Sequence, residues 1–116
     1  MPSRTGGHIH IPAAFKQFAM VPGDVLDDTS LSFGARLLYG LLIWLAWRQK
    51  HGQRGYEGQE AVAEEFGSSA RSVRRYMGEL QEGGYILIER VGQGEPDDIT
   101  LVPLDDLPAG SANPDA

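Results

Sequence analysis

The chain has 116 residues, enough for one domain, and its 41% hydrophobic and 22% charged residues are typical of a globular protein. It contains no cysteine, which excludes disulfides, thiolate metal ligands and cysteine nucleophiles. The first seven residues form no apolar run, and the longest apolar stretch, Leu37–Trp47, is shorter than the roughly 20 residues of a membrane helix. We therefore expect a cytoplasmic protein with no secretory signal and no membrane partner.

The formal net charge of −6 is confined to the end of the chain. Residues 91–116 hold six acidic residues and no basic one, so that residues 1–90 hold ten of each sign. Because the body of the chain is neutral, we expect local charge rather than net charge to decide what it binds.

The predicted elements begin with an N-terminal arm, residues 1–14, in which His8–Ile11 alternate like a short strand. Pro22–Asp24 has the composition of a turn. The first long helix is predicted from Ser32, as its N-cap, to Lys50. Its middle is apolar on every side, which is typical of a helix that is enclosed on most sides or shared with a second chain.

The aromatic residues of this helix leave two arrangements open. Tyr39, Trp44 and Trp47 either form the seam of a homodimer or belong to the core of a single chain. In the second case the segment Ile9–Val21, with its two phenylalanines, would complete the core. We expect the homodimer, with the long helix or that segment at its seam.

Two shorter helices are predicted next, Gln59–Phe66 and Ala70–Glu82, after a strand of one or two residues at Tyr56. The second helix ends at the glycine pair 83–84. Its N-cap is Ser69 or Ser68, which the sequence alone does not decide.

A β-hairpin completes the predicted order. Tyr85–Val91 and Ile99–Val102 have the pattern of strands, and the loop between them is rich in turn residues. We therefore predict an α+β, mainly helical fold over residues 15–103, followed by an acidic flexible tail, residues 104–116. The order of the elements is that of a winged helix-turn-helix with a C-terminal β-hairpin wing.

Three arginines of the second short helix share one predicted face. Arg71, Arg74 and Arg75 are spaced i, i+3, i+4, and Gly78 has no side chain that would project from that face. Guanidinium groups crowded in this way suit an anionic partner, and arginine matches guanine edges and phosphates. The alternative is a solvated face whose arginines pair with neighbouring glutamates. We expect contact with double-stranded DNA.

Residues from about Phe18 to Leu101 resemble the winged helix-turn-helix domain of plasmid and phage replication proteins and related small regulators. The stretches that carry the resemblance are Val21-Pro22, Val25-Leu26, Leu31-Ser32, Ala35–Tyr39, Leu41-Leu42, Val62-Ala63, Phe66-Gly67, Ser69, Ser72–Arg75, Leu80 and Gly84–Ile86. The resemblance implies that the helix after the turn enters the major groove. It also implies that Ser69 and Ser72 touch phosphate, while the three arginines reach bases or backbone.

One departure from that family lies in the wing. Its loop carries Glu95, Asp97 and Asp98, and Arg90 at its base is the only cation there. Carboxylates are repelled by the negative minor groove, so we do not expect this wing to insert. The DNA-binding residues predicted from sequence are Ser68, Ser69, Arg71, Ser72, Arg74, Arg75 and Arg90.

The functional alternatives are a transcriptional repressor, or a winged helix that binds a replication or regulatory protein through its acidic wing and tail. The acidic tail is expected to act as a solubilising extension, or else to cover the arginine face. His8 and His10 lack a third ligand, so we expect no metal site. The sequence shows no nucleophile with a base and an orienting group, and we expect neither an enzyme nor a cofactor.

Overall fold

Four helices followed by a β-hairpin make up the part of the chain that the structure, a computed structural model, describes: Gly7, residues 9–10 and residues 21–103. Helices account for about half of these residues, so the domain belongs to the α+β class. The elements are α1 (Gly23–Leu26), α2 (Phe33–Lys50), α3 (Gln59–Phe66), α4 (Ala70–Glu82), β1 (Ile86–Glu89) and β2 (Asp98–Leu101). The two strands are antiparallel, with Ile86 opposite Leu101 and Glu89 opposite Asp98.

The three predicted helices are confirmed, and their ends lie where the capping residues indicated. Ser32 caps α2, and its Oγ accepts a hydrogen bond from the Ala35 N–H at 3.1 Å. The strands are shorter than predicted. Within residues 21–103 the prediction of a strand at Tyr56 is wrong, because the sheet there has two strands and Tyr56 is a half-buried loop residue packed on the core.

The sequence did not reveal α1. This single turn lies where only the Pro22–Asp24 turn was predicted, and its Val25 is fully buried. Of the predicted arm, Ile9 and His10 do not form a strand. His8 and Ile11, the phenylalanines of the arm segment and the acidic tail lie outside the described residues.

The core is built around the apolar stripe of α4. Val73, Met77 and Leu80 are buried against α2 and α3, and Tyr85 closes the core at the root of the hairpin. On α2, the side that faces the core is buried through Ala35, Leu38, Tyr39, Leu42 and Leu45, and Gly40, on the other side of the helix, is buried beneath Val21. The large exposed apolar residues of α2 lie toward its two ends: Phe33 and Leu37 near the start, and Trp47, which is 43% exposed, near the end.

Two side-chain contacts hold the start of α2 against α4. The Ser32 N–H and hydroxyl both donate to the Glu79 carboxylate, at 2.8 and 2.9 Å. Gly34 lies directly beneath the Tyr76 ring, since a Cβ there would come 2.1 Å from Tyr76 Cζ. The absence of a side chain at Gly34 thus lets the two helices approach closely.

A polar cluster ties α1 to the hairpin root. The buried Tyr85 hydroxyl donates to Asp28 Oδ2 at 2.5 Å, and Ser30 donates to the other oxygen. Partial burial alone would raise the pKa of Asp28. Hydrogen bonds from Ser30 and Tyr85, together with the positive charge of Arg36, outweigh that effect and lower the pKa below its ordinary 3.8.

We predict that Tyr85→Phe lowers the free energy of unfolding at pH 7 by about 1–3 kcal/mol, because the ionised Asp28 loses a buried donor. The stabilisation from Asp28 is present above its unfolded pKa of 3.8 and is lost as the pH falls through the lower folded value. The difference between wild type and variant should therefore shrink at pH 3. Urea denaturation followed by circular dichroism at both pH values measures it, and an unchanged difference would contradict this role of Asp28.

Candidate nucleic-acid interface

The turn between α3 and α4 is fixed by a glycine and a capping serine. Gly67 ends α3 in the left-handed region, at φ 73° and ψ 36°, where glycine carries no steric penalty. The Ser68 N–H donates to the Ala63 carbonyl at 2.8 Å and completes the turn. Ser69 then adopts an extended conformation, and its Oγ accepts from the Ser72 N–H at 3.0 Å. The structure thus identifies Ser69, and not Ser68, as the N-cap.

The start of α4 presents several hydrogen-bond donors to solvent. The first intrahelical bond runs from the Val73 N–H to the Ser69 carbonyl, so the N–H groups of Ala70 and Arg71 precede it. The Ser69 hydroxyl donates to Ser72 Oγ at 3.0 Å. In that arrangement the Ser72 hydroxyl can donate its proton to an acceptor on a bound partner. Ser68 is exposed beside it.

The predicted arginine face is exposed. Arg71, Arg74, Arg75 and Gly78 are all on the surface of α4, and a Cβ at Gly78 would meet no atom within 4 Å. The ion pairs seen among the described residues are Arg48–Glu65 and Arg54–Glu57, and neither involves this face.

The alternative in which the arginines are neutralised by glutamates is not observed in the described part of the chain. No carboxylate there lies within 4.0 Å of the three α4 guanidinium groups. Glu79, one of the expected partners, is instead bonded to Ser32 of α2. None of the three arginines is therefore held in an ion pair within the described part of the chain.

The three arginines do not point the same way. Arg75 lies over the Tyr76 ring, with its guanidinium carbon 5.1 Å from the ring centroid, on the side of α4 that meets α2. Arg74, about 100° further round the helix, lines a groove beside the hairpin. Arg71 is exposed in the first turn. Helical spacing predicted their shared exposure, whereas neighbouring elements decide their direction.

The sequence did not predict the groove beside the hairpin. It has a volume of about 570 Å³ and runs between the start of α3, α4 and the hairpin loop. Two guanidinium groups and four carboxylates line it: Arg74, Arg90, Glu57, Glu60, Glu95 and Asp97. Burial, and then the negative charge of Asp97, raise the pKa of Tyr56 in its wall to about 12. Arg90, predicted as the only cation of the wing, thus shares an acidic surface with Arg74.

Comparison with protein-family models, with curated proteins and with solved structures finds no match to this chain. Among residues 21–103 and the three described arm residues, no three His, Asp or Glu side chains are grouped as metal ligands. No helix in the same part of the chain is long and apolar enough to cross a bilayer.

We predict opposite effects on stability for alanine at two glycines. Gly78→Ala should raise the free energy of unfolding by about 0.5–1 kcal/mol, because alanine is the better helix former and the site is open. Gly34→Ala should lower it by about 1–3 kcal/mol, because the new methyl group displaces Tyr76. Thermal or urea denaturation of both variants measures the two shifts. A loss of stability in Gly78→Ala would show that the arginine face is covered.

Proposed function

We propose that this chain is a winged helix-turn-helix protein that binds double-stranded DNA in a sequence-specific manner, with α4 as the helix that enters the major groove. The observation that carries the proposal is the face formed by Arg71, Arg75 and Gly78. There, two guanidinium groups are exposed and have no carboxylate partner among the described residues. They lie beside the N-terminus of α4, whose first N–H groups precede the first intrahelical hydrogen bond. A groove of DNA supplies both the phosphates and the base edges that such a face matches.

The order of the elements supports the winged-helix part of the proposal. A long helix, two helices joined by a tight turn and an antiparallel hairpin follow one another, and the hairpin is rooted beside α4 through the bond from the Ile88 N–H to Gln81 Oε1. In this arrangement α4 is the second helix of the helix-turn-helix, and the loop between β1 and β2 is the wing.

The contacts divide between phosphates and bases. The N–H groups at the start of α4 and the Ser72 hydroxyl suit a phosphate, because they are uncharged donors at the positive end of the helix dipole. Arg71 and Arg75, which face outward, suit guanine edges in the major groove. Arg74 and Arg90 lie among carboxylates, and we assign them at most a phosphate contact at the edge of the interface.

The resemblance to plasmid and phage replication proteins supports a role in initiating or controlling replication. A transcriptional repressor is the alternative, because both would use the same helix in the same groove. Binding sites selected from random duplex DNA distinguish the two, according to whether they lie at an origin or at a promoter.

We predict that Arg75→Ala weakens binding to a selected duplex by about 1–3 kcal/mol. If Arg75 contacts the backbone, the slope of the logarithm of the binding constant against the logarithm of the salt concentration should fall by about one phosphate contact. If Arg75 contacts a base, this slope should change by less. Fluorescence anisotropy titrations at several salt concentrations measure both quantities.

Arg54→Ala is the matched control for Arg75→Ala. It removes the same charge from an exposed arginine that is already paired with Glu57. Its affinity should stay close to wild type. Equal losses of affinity in both variants would show that the effect comes from net charge alone. Unchanged affinity in a folded Arg71→Ala/Arg75→Ala double variant would overturn the assignment of α4 as the helix that contacts DNA.

We also predict that Asp97→Lys strengthens DNA binding, chiefly to non-specific duplex, because it replaces a repelled side chain beside Arg74 and Arg90 with an attracted one. Asp98→Lys should act in the same direction from the first residue of β2. Titrations against unrelated duplex DNA measure the gain.

A second candidate function follows from the same groove. Four carboxylates around two arginines suit a protein partner with basic side chains better than they suit DNA. If Asp97→Lys weakened DNA binding, or abolished association with a basic replication or regulatory protein while leaving DNA binding intact, a protein-binding wing would be favoured.

A further inference from the structure

The Arg75 side chain is held against the ring of the residue that follows it. Its guanidinium carbon lies 5.1 Å from the centroid of the Tyr76 ring, and its Nη2 donates to the Tyr76 hydroxyl at 3.4 Å. The first distance is within the roughly 6 Å over which a cation is attracted to an aromatic ring. Both contacts act on the guanidinium group, so they restrict the directions in which this exposed side chain can point.

The Tyr76 ring is itself fixed by the other helix. A Cβ on Gly34 of α2 would overlap Cζ, Cε1 and Cε2 of the ring, so the hydroxyl-bearing half of the ring rests on the α2 backbone. Tyr76 is half-buried there and packs against the core. The surface that Arg75 contacts is therefore anchored in the fold.

We propose that Tyr76 is the positioning residue for Arg75, and that it orders the guanidinium group for pairing with a guanine before DNA binds. This inference rests on the proposed DNA binding and adds which arginine reads a base. The bond to the Tyr76 hydroxyl uses one of the five N–H groups of the guanidinium, so two neighbouring ones remain for O6 and N7 of guanine. Because the side chain is ordered beforehand, less conformational entropy is lost on binding.

The carboxylate that could compete with Tyr76 for Arg75 is engaged elsewhere. Glu79 follows Arg75 by four residues, the spacing at which a helix places two side chains side by side. Its oxygens accept instead from the N–H and the hydroxyl of Ser32, at 2.8 and 2.9 Å. A carboxylate on Arg75 would occupy the N–H groups that a base needs, whereas the ring leaves most of them available. The start of α2 thus both engages Glu79 and supports the ring.

Arg71 has no such ring beside it in the described part of the chain. It is exposed in the first turn of α4, and the arginines found over rings between residues 21 and 103 are Arg36 and Arg75. Arg71 and Arg75 therefore share an exposed face and a charge but differ in the contact that orders the side chain. This difference makes Arg71 the matched control for the role of Tyr76.

A double-mutant cycle tests the proposal. Tyr76→Leu should weaken binding to a selected duplex about two- to fivefold, the size of an exposed cation–π contact, and leave binding to unrelated duplex unchanged. In the Arg75→Ala background the same substitution should cause no further loss, whereas in the Arg71→Ala background it should cause its full loss. Tyr76→Phe, which keeps the ring, should retain most of the affinity. Anisotropy titrations measure these affinities, with circular dichroism to show that each variant is folded.

The cycle separates the positioning role from the proposed DNA binding. An equal loss from Tyr76→Leu in the wild-type and Arg75→Ala backgrounds would overturn the positioning role, because the tyrosine would then act through the fold or through a contact of its own. If Arg75→Ala itself left the affinity unchanged, the proposed DNA contact of Arg75 would fail instead.

Nuclear magnetic resonance of the free wild-type protein gives a readout that needs neither DNA nor a folded variant. Relaxation of the Nε nitrogen reports how ordered each arginine side chain is on the picosecond-to-nanosecond timescale. We expect Arg75 to be more ordered than Arg71, and its δ protons to be shifted upfield by the Tyr76 ring. Equal order in the two arginines, with no upfield shift at Arg75, would overturn the proposal.

Discussion

The contact between Glu79 and Ser32 is the interaction on which the orientation of α4 depends. One carboxylate in the last turn of α4 accepts two hydrogen bonds from the residue that caps α2, so the end of one helix and the start of the other are held together. Gly34 permits this approach beneath Tyr76. With α4 held there, its apolar stripe faces the core and its arginines face outward. The same contact also engages the carboxylate that is nearest in sequence to Arg74 and Arg75, so that Glu79 does not pair with them.

The electrostatics of the surface follow from this arrangement and not from the net charge of −6. The outward side of α4 is basic, while the side toward the hairpin is a mixed groove in which acidic groups outnumber basic ones. A polyanion that approached α4 would be attracted on one flank and repelled on the other. The domain thus favours one direction of approach, and in the proposed binding of DNA that asymmetry would act on register as well as on affinity.

The helices were predictable because their limits are set by neighbouring residues: Ser32 and Ser69 as caps, Gly67 as a stop. The helical period likewise identified the core stripe of α4 and the exposure of its arginines. What the sequence could not provide arises from contacts between distant segments. The turn α1 is too short for a periodic signal, and the groove joins Glu57 and Glu60 of one segment to Glu95 and Asp97 of another. For the same reason helical spacing grouped Arg74 with Arg75, although Arg74 lies beside the hairpin groove and Arg75 over the Tyr76 ring.

The bond between Tyr85 and Asp28 has a consequence for the order of folding. It joins residues 57 positions apart, and the bond between Ser32 and Glu79 joins residues 47 positions apart, whereas the α3–α4 pair and the hairpin are built from neighbours in the chain. Loops close sooner when they are short, so the unit from α3 to β2 is expected to condense first. The segment from α1 to the start of α2 then docks onto it and supplies the long-range bonds last. On this view, the half of the domain that carries the arginines is the half whose folding depends least on contacts with distant parts of the chain.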